Sequence, residues 1–185
     1  GHNPKGKKYQ LDLKKSTEHF KKAFGGRLWE KGFQFTIAFN SGNLPRQTVC
    51  QILKRNIEGL NPKFKIDVRA VEWPTFLDAY RSSKLPIFVM GWNADYPDPH
   101  NFAFSLLHSK GDYPMTQKFK NAEFDRLVEE ANETPNAAKR ESIYSKLQDL
   151  AFEEAPQLYI VDTVRYRTQR SWVKGWFHNP IFPDA

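Results

Sequence analysis

The chain has 185 residues, of which 39% are hydrophobic and 26% charged, and 28 Lys and Arg against 21 Asp and Glu give a net charge of +7. This composition is typical of a folded domain and excludes disorder as the main state. The sequence contains no apolar run of the roughly 20 residues that a membrane-spanning helix requires. Cys50 is the single cysteine, so neither an intrachain disulfide nor a cysteine-based zinc site can form.

The N-terminal residues differ from the rest of the chain. Residues 1–8 are polar and basic without periodicity, and they predict an expression tag or a disordered tail before a single domain over residues 9–185. Cys50 lies beside a helical apolar stripe and is expected to be a small packed side chain rather than a reactive thiol.

Helix and strand patterns alternate through the first half of the chain. In chain order they predict a helix over residues 11–24 capped by Asp12, a strand over 33–39, a helix over 44–59, a strand over 64–70, a helix from Trp73 and a fully buried strand over 85–90. Helical crossovers require parallel pairing, so the fold class is α/β, a mixed sheet with a parallel strand-helix-strand-helix-strand core. The carboxyl ends of the three strands should meet at one edge.

The second half is predicted to be mainly helical. Asn121 is a candidate cap for one helix, a second helix is predicted to start at Thr134-Pro135, and residues 158–166 form a strand-like run. Asp98 precedes a proline, which favours a turn and a cap for a helix over residues 101–107.

The loop after the third strand holds the candidate chemistry. Residues 91–102 combine three aromatics, two carboxylates and two prolines at the sheet edge where open parallel sheets bind ligands. Its prolines stiffen the loop, so Trp92 and Asp95 can be presented at little entropic cost. A carboxylate at a cleft edge can pair with a ligand ammonium, which favours binding. Two other interpretations stay open: plain structure, and an acid/base or metal site formed by Asp95, Asp98 and His100.

The same segment carries a family resemblance. Residues 91–102, Gly-Trp-Asn-Ala-Asp-Tyr-Pro-Asp-Pro-His-Asn-Phe, strongly resemble the signature loop of bacterial extracytoplasmic solute-binding proteins of the oligopeptide and dipeptide family (family 5), which feed ABC transporters. Residues 39–42, 72–76 and 172–176 also look like that family. The similarity covers nearly everything from Tyr9 onward, and it implies the second lobe of a larger two-lobed periplasmic-binding-protein-like molecule.

The resemblance also implies roles for individual residues. Asp95 would hold the α-ammonium group of a bound peptide, Trp92 would line the same pocket, and Asn40 would belong to the facing loop. The further candidate ligand-binding residues are Asn93, Tyr96 and Arg46.

The function that the resemblance implies is capture of peptides for an ABC transporter, without catalysis, cofactor or metal. Its partners would be a peptide, the missing first lobe and an ABC transporter permease, in the periplasm or at another extracytoplasmic face. Val89 and Pro45 stand where oligopeptide binders carry basic residues, so dipeptides, oligopeptides, metal chelates and oligosaccharides all stay open as ligands.

Two alternatives come from other classes of protein. A basic nucleic-acid-binding domain would use aromatic and arginine side chains near the C-terminus, namely Tyr166, Trp172, Trp176 and Phe177 with Arg165, Arg167 and Arg170. The resemblance argues against nucleic acid as a partner. A hydrolase would use Asp95 and Asp98, but it needs a general base that the sequence does not offer.

Overall fold

The structure, a computed structural model, describes residues 6–161 and 166–177. The chain divides into two compact units, one formed by Tyr9–Gly91 and the other by Gly1–Lys8 with Trp92–Ala185. Each unit has a hydrophobic core of its own. Residues 1–5 of the predicted tail lie outside the described residues, and the single lobe over residues 9–185 stays a prediction.

The unit Tyr9–Gly91 contains the predicted alternation of strands and helices. Its elements are α1 (Leu13–Lys22), a 3-10 turn (Ala23–Gly26), α2 (Arg27–Lys31), β1 (Phe33–Asn40), α3 (Leu44–Glu58), β2 (Phe64–Val71), α4 (Trp73–Arg81) and β3 (Ile87–Phe88). The strand order is β2-β1-β3, and both pairs are parallel. The sequence prediction of a parallel core is therefore confirmed, and the carboxyl ends of the strands lie at one edge.

One face of the sheet packs against α3. Ile37 and Phe39 of β1 and Ile66 of β2 form a buried cluster with Cys50. Cys50 is fully buried, as predicted, and burial raises the pKa of its thiol because the thiolate would lose its hydration. The strands alternate in sequence because only one set of side chains contributes to this cluster.

An aromatic cluster closes the amino edge of the sheet. Phe64 is fully buried, and its ring centroid lies 4.3 Å from that of Phe33 and 5.1 Å from that of Phe20 on α1. Trp29 of α2 meets the same ring edge-on at 5.7 Å. Gly32 has φ of +77°, and a Cβ there would lie 2.3 Å from the carbonyl oxygen of Lys63, so this close approach requires glycine.

The third strand differs from its prediction. The apolar run over residues 85–90 predicts a strand buried on both faces, but β3 has two residues and none of the six is buried. Ile87 is 39% exposed. The strand lies at the edge of the sheet, and Pro86 has no N–H to extend the ladder, which explains its short length.

The second unit is helical in its described part. Its elements are α5 (Pro99–Leu107), α6 (Asp112–Gln117), α7 (Ala122–Glu133) and α8 (Ala137–Glu154). The apolar faces of α7 and α8 form the core of this unit with residues from α5, and Phe124 and Ala131 are fully buried. Asp98 and Asn121 accept hydrogen bonds from backbone N–H groups in the first turns of α5 and α7, so both predicted caps are confirmed.

The structure differs from two predictions in this unit, one on where a helix begins and one on a strand. Helix α8 begins at Ala137 rather than at Thr134-Pro135, because Asn136 caps it by accepting a hydrogen bond from the Lys139 N–H at 2.9 Å. Residues 158–161 form no strand and are exposed, since no strand pairs with them among the described residues. The rest of the predicted strand, residues 162–165, lies outside the described residues.

The described helices include none that is both long enough and apolar enough to cross a membrane.

The aromatic cluster gives a stability prediction. Phe64→Ala should lower the free energy of unfolding by about 3 to 5 kcal/mol, because it removes a fully buried ring and leaves a cavity. Phe24→Ala is the matched control, since Phe24 is 74% exposed and its removal should change stability by less than about 0.5 kcal/mol. Urea denaturation of the two variants checks the difference, and equal losses would contradict the assigned core.

Candidate functional site

The candidate loop runs from Trp92 to Asp98 and leads directly into α5. The backbone N–H of Asp98 donates to the carbonyl of Tyr96 at 2.8 Å, which closes a turn around Pro97. The N–H of Asn101 donates to the carbonyl of Asp98 at 3.1 Å and begins the helix. Backbone hydrogen bonds thus connect the loop to the first turn of the capped helix α5.

The side chain of Asn101 joins the two main candidates. Its Oδ1 accepts a hydrogen bond from the Trp92 indole N–H at 2.6 Å, and its Nδ2 donates to Oδ2 of Asp95 at 3.3 Å. Asn101 itself is 4% exposed. Tyr113 supports the other side of the indole, with the two rings edge-on and 6.0 Å between centroids. Trp92 and Asp95 are therefore held by one buried amide.

The two carboxylates of the loop have different environments. Asp95 is exposed, whereas Asp98 is partly buried and forms a two-pronged ion pair with Arg140 of α8, with Oδ1 to Nη2 at 2.7 Å and Oδ2 to Nη1 at 2.8 Å. Oδ1 of Asp98 also accepts the N–H of His100 at 2.7 Å. The Arg140 guanidinium, more than any other group, holds the pKa of Asp98 below its usual range.

The remaining loop candidates lie at the surface. Asn93 is exposed, and Tyr96 is 42% exposed. The Tyr96 hydroxyl forms a hydrogen bond with Nδ1 of His100 at 2.7 Å, and the two rings stack. His100 thus supports the tyrosine, in keeping with a structural role.

Two candidates lie at the carboxyl edge of the sheet in the unit Tyr9–Gly91. Asn40 is the last residue of β1, and its Oδ1 accepts a hydrogen bond from Nη1 of Arg46 at 2.7 Å. Asn43 caps α3 by accepting the N–H of Arg46 at 3.1 Å. The guanidinium also lies beside Gly91, where an added Cβ would be 3.5 Å from Nη2. The structure therefore brings Asn40 and Arg46 together.

Two important residues of the site were not predicted. Asn101 lies inside the quoted loop signature, but the sequence indicated only a helical position for it. Arg140 lies 42 residues from Asp98, and nothing in its local sequence distinguishes it from a surface arginine. A long-range ion pair of this kind has no periodic signal.

Two observations bear on the catalytic and metal interpretations. Asp98 is committed to a helix cap and to Arg140, so it is not available as a general acid. In residues 6–161 and 166–177 no group of three or more His, Cys, Asp or Glu side chains is arranged to hold a metal ion.

The described residues of the nucleic-acid alternative are exposed. Arg167 lies over the ring of Trp176 at 4.6 Å and Arg170 over that of Trp172 at 5.5 Å, so both guanidinium groups already contact aromatic rings of the chain. Tyr166 and Phe177 are largely exposed. Arg165 lies outside the described residues.

An open concavity of about 470 Å³ occurs elsewhere in the unit Tyr9–Gly91. It is lined by Trp29, Glu30, Leu60, Asn61, Pro62 and Lys63, which precede β1 and β2. It is therefore at the amino edge of the sheet, opposite to the edge at which parallel sheets bind ligands.

Comparison with known proteins identifies the family. The family described as "Bacterial extracellular solute-binding proteins, family 5 Middle" matches residues 1–114. Because the match covers more than half of the sequence, the chain belongs to the family 5 solute-binding proteins.

Individual relatives agree with this assignment. The periplasmic oligopeptide-binding protein OppA of Salmonella typhimurium is 26% identical over 173 residues, 91% of this chain and 31% of OppA. Heme-binding protein A of Haemophilus influenzae is 31% identical over 116 residues, 62% of this chain and 21% of that protein. The solved periplasmic binding protein DppA from Helicobacter pylori, in complex with a peptide, has a TM-score of 0.71 and 26% identity over 84% of this chain and 30% of DppA. The chain thus spans less than a third of the length of these relatives, and the predicted periplasmic-binding-protein-like α/β fold is confirmed.

The ion pair at Asp98 gives a prediction with a pH signature. Asp98→Asn keeps a good helix cap but loses the ion pair, whose side chains are 33% and 24% exposed. Solvent screening limits the expected loss at pH 7 to about 1 to 2 kcal/mol. The folded-state pKa is lowered, so this stabilisation is present above the usual aspartate pKa of about 4 and is lost as the pH falls through the folded-state value.

Urea denaturation at pH 7 and at several values below pH 4 checks this dependence. The stability difference between wild type and Asp98→Asn should shrink in acid. Glu123→Gln, which breaks the exposed pair with Arg126 on α7, should give a smaller loss at pH 7. A difference for Asp98→Asn that does not change with pH would show that the ion pair is not its cause.

Proposed function

We propose that this chain is a ligand-binding lobe of a substrate-binding protein that captures peptides for an ABC transporter. Membership of family 5 supports the proposal, as do relatives whose names describe oligopeptide binding. The observation that carries it is the exposed carboxylate of Asp95, held beside the Trp92 indole by Asn101.

The proposed chemistry uses the group that every free peptide has at its N-terminus. Asp95 accepts charge-assisted hydrogen bonds from the α-ammonium group, each contributing about 1.5 to 3 kcal/mol when shielded from water. Trp92 supplies apolar area against which different side chains can pack. A site that binds the charge common to all peptides, next to an apolar surface that fits different side chains, would bind many peptide sequences.

Asn40 and Arg46 are the proposed ligand contacts of the unit Tyr9–Gly91. Arg46 directs one N–H to Asn40, which orients the guanidinium at the carboxyl edge of the sheet. A ligand carboxylate or a backbone carbonyl is the group that a guanidinium at this edge would attract. Asn93 and Tyr96 are proposed as ligand contacts at the edge of the site, because both are exposed and lie within two residues of Asp95.

The whole protein would work by closure of two lobes around the ligand. The missing first lobe would bury the opposite side of the peptide, and a permease would recognise the closed state. We place this protein in the periplasm or at another extracytoplasmic face, as a binding protein without catalytic activity. Isolated from the first lobe, this chain should bind weakly, because affinity is the surplus over a fixed cost of association and part of the contacts is missing.

Asp95→Asn tests the role of the carboxylate. Titration of the ¹⁵N-labelled chain with tri-alanine should shift the Trp92 indole and Asn101 amide resonances at millimolar peptide. Asp95→Asn should weaken binding by roughly tenfold or more, because it removes the charge that pairs with the α-ammonium group. The matched control is Asp149→Asn, which removes an exposed carboxylate on α8 and should leave binding unchanged.

N-acetylated tri-alanine completes the experiment. Acetylation should weaken binding to wild type about as much as Asp95→Asn does, and it should add little in the variant, because the two changes remove the same pair. Equal binding of free and acetylated peptide would overturn the proposed role of Asp95. A response to an oligosaccharide or a metal chelate, with none to peptides, would replace peptide as the ligand class.

A further inference from the structure

Arg140 is fixed from several sides. Besides its two hydrogen bonds to Asp98, its Nε donates to the carbonyl of Ala131 in α7 at 2.9 Å, and Nη2 donates to the hydroxyl of Tyr144 at 3.0 Å. The guanidinium also lies over the Tyr144 ring, with 5.2 Å to the centroid. Ala131 and Tyr144 belong to the buried core of α7 and α8. The position of the guanidinium is therefore set by the helical scaffold.

The contacts continue from Arg140 to the candidate loop. Asp98, which Arg140 holds, caps α5 and closes the turn with Tyr96. Three residues later in the first turn of α5, Asn101 holds the Trp92 indole and the Asp95 carboxylate. Every link in this series is a hydrogen bond between named atoms. The scaffold of α7 and α8 thus connects through one guanidinium to the groups that face the ligand.

The geometry indicates why an arginine, rather than a lysine, suits the contacts with Asp98 and the Ala131 carbonyl. A guanidinium supplies parallel N–H groups that match both carboxylate oxygens, together with a separate Nε–H for a third partner. Lysine can bind one of these partners as a point charge but cannot fix the plane of the carboxylate. Substitution by lysine should therefore keep the charge attraction and lose the orientation.

We infer that Arg140 is a positioning residue for ligand binding: it fixes the Asp98 turn and, through Asn101, the orientation of Trp92 and Asp95. The effect on ligand binding rests on the proposed function, whereas the positioning of the loop by Arg140 can be tested without a ligand. Arg140 has no contact with the ligand in this scheme. Its effect on binding should therefore shrink when Asp95 is absent, leaving only the part that acts through Trp92.

The first experiment needs no ligand. Hydrogen exchange of the Trp92 indole N–H, measured by NMR, reports whether its bond to Asn101 persists. Arg140→Gln should increase this exchange several-fold, and Arg140→Lys should give an intermediate value. Arg126→Gln is the matched control, because it removes an arginine with two carboxylate partners from exposed positions on α7 and should leave the indole unchanged.

The second experiment measures affinity for tri-alanine. Arg140→Gln should weaken binding by about fivefold or more in wild type and by clearly less in the Asp95→Asn background, because residues acting through one network are not additive. A purely structural role would weaken binding equally in both backgrounds. Thermal unfolding of each variant confirms that the chains compared are folded. Where Arg140→Gln does not fold, Arg140→Lys and Tyr144→Phe replace it, since each removes only part of the contacts.

The outcomes separate this inference from the proposed function. Increased indole exchange in Arg140→Gln, with binding that does not depend on Asp95, would overturn the proposed function while the loop positioning stands. Binding that depends on Asp95, with Arg140→Gln equal to Arg126→Gln in both measurements, would overturn the inference. Equal loss of affinity in both backgrounds would also overturn it, since Arg140 would then act only on general stability.

Discussion

The buried amide of Asn101 is the contact on which the candidate site depends. An amide can accept from the Trp92 indole and donate to the Asp95 carboxylate at the same time, and its two groups do so at 2.6 and 3.3 Å. An aspartate at this position would repel Asp95, and an apolar side chain of the same shape would leave the indole N–H without its partner. The amide is placed by the capped first turn of α5, so a rule of local helix chemistry determines the arrangement of Trp92 and Asp95.

Asp95 and Asp98 show how the environment gives two identical side chains different functions. Asp98 accepts the N–H that caps α5 and faces a fixed guanidinium, so its charge is already compensated within the chain. Asp95 is exposed, and from the described residues it accepts a longer hydrogen bond from an uncharged amide. Its charge is therefore available to an incoming cation. Under the proposed function, Asp95 would bind the ammonium group and Asp98, three residues away, would only fix the loop.

The elements that depend on local chemistry could be predicted from the sequence. Alternation identified β1 and β2, and the caps at Asp12, Asp98 and Asn121 follow from side chains that satisfy free N–H groups nearby. The short β3 could not be predicted, because an apolar run does not state whether a strand is central or at an edge. Arg140 could not be predicted either, since its partners lie on three separate segments of the chain. The sequence resemblance pointed to Trp92 and Asp95, but only the structure shows what holds them.

The connection from the α7 and α8 core to the loop has an energetic consequence. Ordering a loop opposes binding when the ligand has to impose the order, whereas order imposed during folding is already present in the free protein. In this chain the buried faces of α7 and α8 fix Arg140, and the ion pair with Asp98 transfers that order to a segment that is itself largely exposed. Under the proposed function, hydrophobic burial in the core of α7 and α8 would thereby reduce the entropic cost of binding a ligand. This explains how an exposed loop with few apolar contacts of its own can present an indole and a carboxylate in a defined orientation.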